Sequence, residues 1–291
     1  MTAKGASGWA RARGTLGARA LSDMSRARVL VMAALFVLSS CAMAPLISPA
    51  ARSELTSTGK LRVGINYGNF LLVTSGPNAT EPRGPAPDLA RELGRRLGVP
   101  VEFVQFDTAG KLADGVKTGM WDVAFLGAEP SRANEIAFTA AYLEIPSTYL
   151  VPAGSPIRSI ADVDRAGVRI AVSERSAYEL YLTRTIKHAK LVYAKGIDGS
   201  YEVFVSQKLE ALAGLKPRLL TDVQKLPGAR LLDGQFTGVQ QAIGTPKSRA
   251  AAAEYLRQFV EDVKASGFVA EAIAKNGVEG VSVAPPASAQ P

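Results

Sequence analysis

The chain carries one cysteine, Cys41, and one histidine, His188. A lone cysteine excludes an intramolecular disulfide. With neither type present twice, a zinc cluster or a Cys–His or Ser–His triad is not expected. A membrane span is not in evidence either: the apolar run from Val29 to Leu38 has 10 residues, and a bilayer takes about 20. The excess of positive charge is smaller than the net +8 suggests, because residues 1–40 hold six of the bases and a single acid, Asp23. The remainder has 28 bases against 25 acids and no patch of interleaved basic and aromatic residues, which argues against nucleic-acid binding. What the chain has is 291 residues, 47% of them apolar, enough to bury one large or two medium cores.

Arg26 and Arg28 followed by Val29 to Leu38 read as the charged and apolar regions of a signal peptide, residues 1–41, with Met24 as the expected start. Leu38-Ser39-Ser40-Cys41 follows directly, in the manner of a bacterial lipoprotein cleavage site with lipidation at Cys41. A cut after Ser48-Pro49-Ala50 is the alternative. Both readings place the protein in the periplasm, and the first anchors it to a membrane. Residues 42–58, rich in Ala, Pro, Ser and Thr, read as a tether.

From there strands and helices alternate. Leu61 to Ile65 is an alternating, β-branched first strand, and Asp88 to Gly98 opens on a capping residue and closes on glycine as a helix should. Val99–Phe106, Ala109–Thr118 and Trp121–Leu126 continue as strand, helix and strand. The series then restarts: Val168–Val172 and Lys190–Tyr193 read as strands, Ala177–Lys187 and Tyr201–Gln207 as helices, and Leu209–Leu215 as a last strand. Alternation of this kind builds a sheet covered on both faces, and a second series implies a second domain. Ala250–Ala265 and Phe268–Lys275 are closing helices, and residues 278–291 read as a disordered tail.

The segment Gly119-Met120-Trp121-Asp122-Val123-Ala124-Phe125-Leu126-Gly127-Ala128-Glu129-Pro130-Ser131-Arg132 carries the functional argument. An apolar strand runs out into a small-residue turn and then an expected helix whose first turn holds Arg132. Ligands of open α/β sheets sit beyond such strand ends, and a guanidinium there suits a carboxylate. The competing reading is a surface arginine at a helix start. Ser176, Ala177 and Tyr178 stand where a strand turns into a helix, so their amides cradle an anion or Ser173 or Ser176 simply caps the helix. Asn66, Tyr67 and Phe70 follow the first strand; either aromatic contacts a ligand or packs in the core, and Tyr142 reads as structural.

The order of Leu61–Ile65, Gly84–Leu89, Gly119–Val123, Ser131-Arg132 with Phe138 and Tyr142, Gly167–Val172 and the closing helices resembles the bacterial extracytoplasmic solute-binding proteins of family 3, which feed amino acids and related solutes to ABC importers. The resemblance implies an α/β, two-lobed periplasmic binding protein-like fold (type II), hinge-linked, with lobe 1 at 59–149 plus 239–277 and lobe 2 at 150–238. It implies a monomer that hands a small carboxylate ligand to an ABC transporter permease, without a cofactor. Arg132 matches the arginine of that family that pairs with the ligand carboxylate, and Tyr67 or Phe70 the aromatic set against the ligand.

Two departures qualify it. Gly127 stands where members that hold an α-amino acid usually carry Thr or Ser. Glu210 to Leu215 offers only Gly214 or Leu215 where an acid is usual, so the customary counter-ion for the ligand's ammonium is missing. Two alternatives remain open: a dehydratase-like enzyme, for which Asp88, Glu129, Glu144 and Glu174 are the available carboxylates, and a sensory or envelope-interaction module that keeps the fold.

Overall fold

The computed structural model describes residues 47–77 and 79–289; the expected signal peptide, with Met24 and Cys41, lies outside the described residues. The described chain opens not on a tether but on helix α1, Pro49–Leu55, started by Pro49 and capped by Ser48, whose hydroxyl accepts from the Ala51 amide. Ala51 and Leu55 are buried, which explains why a stretch of small residues is ordered.

Five elements then form a first unit: β1 (Leu61–Asn66), α2 (Pro85–Leu97), β2 (Val101–Phe106), α3 (Ala109–Asp114) and β3 (Val123–Gly127). Helix α2 starts at Pro85 and ends at Gly98, which adopts the left-handed conformation and donates back to Arg95 and Gly94 carbonyls. Strand β1 pairs in parallel with β2 on one side and β3 on the other. All five residues of β3 are buried, as a central strand covered on both faces requires.

Strand β4 (Ile136–Val151) is the longest strand and leads to a second unit of the same construction: β5 (Arg169–Ser173), α4 (Ala177–Thr185), β6 (Lys190–Ala194), α5 (Gly196–Ser206) and β7 (Ala211–Leu215). Here β5 lies parallel to β6 and β7. The chain returns through α6 (Lys216–Val223), β8 (Arg230–Leu231) and β9 (Thr237–Pro246), then α7 (Ala250–Ala265), α8 (Phe268–Lys275) and β10 (Ser282–Val283). Strands β4 and β9 are antiparallel to each other and stitch the units into one path, β2-β1-β3-β9-β4-β7-β5-β6. The closing helices go back to the beginning: α7 packs on α1 and β4, and α8 on α2.

Several expectations shift. No helix follows β3; residues 130–135 are turn and the chain continues directly into β4. Strand β3 begins two residues after Trp121, which instead fills the core and donates from Nε1 to the Leu112 carbonyl at 2.9 Å. Helix α5 starts at Gly196, five residues before the expected Tyr201. The chain beyond 277 is not wholly a free tail, because β10 pairs with Leu143 and Glu144 of β4 and Ala284 is buried.

Both units are pinned by the same device. In the first, Arg62 donates from its backbone amide and Nε to Asp122 Oδ2 and from Nη2 to Oδ1 at 2.8 Å, while Nη1 takes the Gly119 carbonyl. In the second, Arg169 repeats the pattern on Glu210, with Nη2 also on the Lys208 carbonyl. Each bond set ties the start of a parallel strand to the chain entering the neighbouring strand. Asp122, fully buried, also receives Arg249 Nη1 at 2.8 Å, which fixes the entry to α7.

Candidate functional site

The carboxyl ends of β1, β2 and β3 face the start of α4 across a cavity of about 50 Å³. Position follows from topology: ligands gather beyond the carboxyl ends of parallel strands. Of the eight expected binding residues, Asn66, Gly127, Arg132, Ser176, Ala177 and Tyr178 line this cavity. Tyr67 and Phe70 do not. Tyr67 packs against the main core, and Phe70 is 39% exposed and borders a different hollow with Leu220. Asn66 accepts the Gly68 amide at 3.0 Å, a local turn that presents its side chain on the wall.

Arg132 reaches the cavity from the turn after β3, not from the first turn of a helix. It is 7% exposed. Nη1 donates to the Gly127 carbonyl at 2.6 Å and Nη2 to the Arg175 carbonyl at 2.8 Å. Burial lowers its pKa to about 10, partly offset by the nearby charge of Glu129, so the guanidinium stays charged at neutral pH. Among the described residues it makes no ion pair. Gly127 matters through its missing side chain: a Cβ there would stand 2.7 Å from the Ala177 Cβ and 3.1 Å from Val239 Cγ1, so only glycine lets α4 come this close.

At the start of α4 both sequence readings apply. Ser176 caps the helix, accepting the Glu179 amide at 3.1 Å. Ala177 and Tyr178, the first two helical residues, carry amides that lack an acceptor within the helix. The Tyr178 hydroxyl is buried beside Ser173, Ser176 and Ser200, which draw its pKa down while burial raises it on balance. It forms no hydrogen bond of normal geometry.

Among the wall residues not expected from sequence, two carry unpartnered acceptors. Asp107, directly after β2, accepts at Oδ2 from Lys111 Nζ at 2.8 Å and pairs there with Lys195 Nζ at 3.1 Å. The Lys111 bond chiefly holds its carboxyl below the usual range. Its Oδ1 is buried without a partner, as is Oε1 of Gln241, a 4% exposed residue of β9 paired with Gly127. Asp107 was findable as an acid at a parallel strand's carboxyl end; Gln241 had no signal beyond its place in an apolar ladder. Leu215, at the position where an acid is missing, also lines the cavity. The carboxylates considered for catalysis do not converge: Glu129 pairs with Arg184 at 2.5 Å, Asp88 with Asn276 at 2.9 Å, and only Glu174 reaches the cavity, as an exposed residue. His188 is exposed after α4. No metal-holding group of His, Cys, Asp and Glu occurs among the described residues.

Residues 61–278 match the sequence profile described as bacterial extracellular solute-binding proteins, family 3. The chain belongs to this family. Solved structures agree on the fold. A mutant of ArgBP from T. maritima superposes with a TM-score of 0.65 at 22% identity, covering 79% of this chain and 100% of that one. An ancestral amino acid-binding protein, described as a precursor of cyclohexadienyl dehydratase, gives 0.64 at 22% identity over 77% and 98%. An amino acid ABC transporter substrate-binding protein from Streptococcus pneumoniae, bound to L-arginine, gives 0.63 at 19% identity over 76% and 96%. Comparison with curated proteins gives no match. The architecture is thus the type II periplasmic binding protein fold of family 3, and no described helix is long and apolar enough to cross a membrane.

Proposed function

We propose that this family 3 member is an extracytoplasmic solute-binding protein that takes a small carboxylate-bearing solute, an amino acid or related organic acid, between its two units and delivers it to an ABC importer. In this reading residues 59–149 and 239–277 form one lobe, 150–238 the other, and β4 and β9 the hinge. The observation that carries it is Arg132: a charged guanidinium buried on the cavity wall, held by two backbone carbonyls and by no acid. Carbonyl dipoles offset only part of the cost of burying a charge, and an anionic ligand supplies the rest in a bidentate geometry. The free amides of Ala177 and Tyr178 add donors from the other side.

A thermal-shift screen against amino acids and organic acids tests the reading. Carboxylates are expected to raise the melting temperature, and Arg132→Ala to abolish the rise while leaving the unliganded protein folded. A screen in which no carboxylate stabilises the protein overturns it. Membrane delivery adds a second test, co-purification with a permease from the source cell. The similarity to a dehydratase precursor supports a second, enzymatic reading, which predicts product from prephenate-like acids; the separated carboxylates speak against it.

A further inference from the structure

The cavity wall presents acceptors as well as donors, and the chain leaves two of the acceptors unused. Asp107 Oδ1 and Gln241 Oε1 are buried without a hydrogen-bond partner, and both residues line the cavity that Arg132 lines. Native structures seldom leave such atoms unserved, so a donor from a ligand is the expected complement.

Charge decides which donor. Asp107 is already compensated twice at Oδ2, by Lys111 and Lys195, while Glu174, the other acid on the wall, is exposed to water. Leu215 contributes no charge. Nothing uncompensated and buried remains to draw an ammonium out of water, whereas a neutral O–H loses far less on entering the site.

We propose that the cleft takes a small hydroxy carboxylate, its carboxylate on Arg132 and its hydroxyl donating to Asp107 Oδ1 or Gln241 Oε1. The inference rests on the carboxylate reading above and names the solute class of that same site.

Calorimetric titration of the full chain at pH 7 tests it with matched solutes that differ in one group: glycolate, glycine and acetate; L-lactate, L-alanine and propionate; and L-arginine and L-lysine as long amino acids. In at least one matched set the hydroxy acid is expected to bind about tenfold tighter than its amino and unsubstituted counterparts. Gln241→Met or Asp107→Ala, shown folded by circular dichroism, is expected to bring the ratio near one while acetate or propionate binding persists. An amino acid that binds as well as its hydroxy twin, binding confined to L-arginine or L-lysine, or a hydroxyl preference that survives both substitutions overturns the inference. In those cases loss of binding in Arg132→Ala would still uphold the carboxylate reading. Absence of binding by all eight solutes overturns the inference, and the wider thermal-shift screen then decides the carboxylate reading.

Discussion

Arg132 and Asp122 show how differently two buried charges are treated in one strand-and-turn segment. Arg132 hydrogen-bonds only to carbonyls, which leaves guanidinium N–H groups unused. Arg132→Lys keeps the charge but loses the planar fork, and is expected to weaken carboxylate binding at least about tenfold, with Arg132→Ala weakening it at least about 100-fold; calorimetry reads both. Asp122 is fully served by two arginines. Burial pushes its pKa up, but the Arg62 and Arg249 hydrogen bonds outweigh this and the net shift is downward. A carboxyl whose folded pKa lies below its unfolded value contributes stability above that unfolded value, about 3.9, and loses it as pH falls through the folded one. Asp122→Ala, which strands two guanidinium groups, is therefore expected to cost about 3–5 kcal/mol at pH 7. It should also flatten the loss of stability on acidification below about pH 4; urea unfolding across pH measures both. The place of Arg132 beside the carboxyl end of β3 was legible from its position after an apolar strand. Its carbonyl partners were not, because the Arg175 carbonyl is 43 residues away in sequence.

Elements with their own punctuation were readable, and those made by pairing were not. Helix α2, with proline at its start and glycine at its end, falls close to the expected range, whereas helix α1 looked like a tether because small residues carry no periodic apolar face. Its order is tertiary: Leu55 is completely buried and α1 lies along α7. Leu55→Ala is expected to destabilise by about 2–5 kcal/mol, measured by urea denaturation; a tether would tolerate it without change. The expected helix after Arg132 failed for a related reason. Residues from Ile136 onward are β-branched and aromatic in part, and once β9 lies alongside, ladder hydrogen bonds hold them extended as β4.

At the scale of the molecule, the two units meet across the cavity through ion pairs. Arg175 joins Asp114 at 2.5 Å, Arg184 joins Glu129, and Lys195 joins Asp107. The three basic partners and Asp114 are exposed, Glu129 and Asp107 much less so; the exposed Arg175–Asp114 pair contributes at most about 1 kcal/mol and is screened by salt. Raising sodium chloride to about 1 M, where the screening length falls to about 3 Å, is expected to increase the radius of gyration of the ligand-free protein by small-angle scattering. A saturating carboxylate should reverse the increase. Gly127→Thr places a side chain against Ala177, where a Cβ alone would lie at 2.7 Å, and is expected to give the same expansion at low salt. An unchanged scattering profile in both experiments would show that neither contact governs closure.

Sequence alone determined what local chemistry and order along the chain can dictate: the βα alternation, the family to which residues 61–278 belong, the strand end that carries Arg132, and the want of an acid at Leu215. Those follow from periodicity, capping and residue type, which act over a few neighbours. Only the tertiary structure decided which polar atoms meet and which go unserved. The approach of α4 to Gly127, the loss of Tyr67 and Phe70 from the wall, and the appearance of Asp107 and Gln241 on it all depend on contacts between segments far apart in the chain. Their geometry is set by how β4 and β9 bring the two units together.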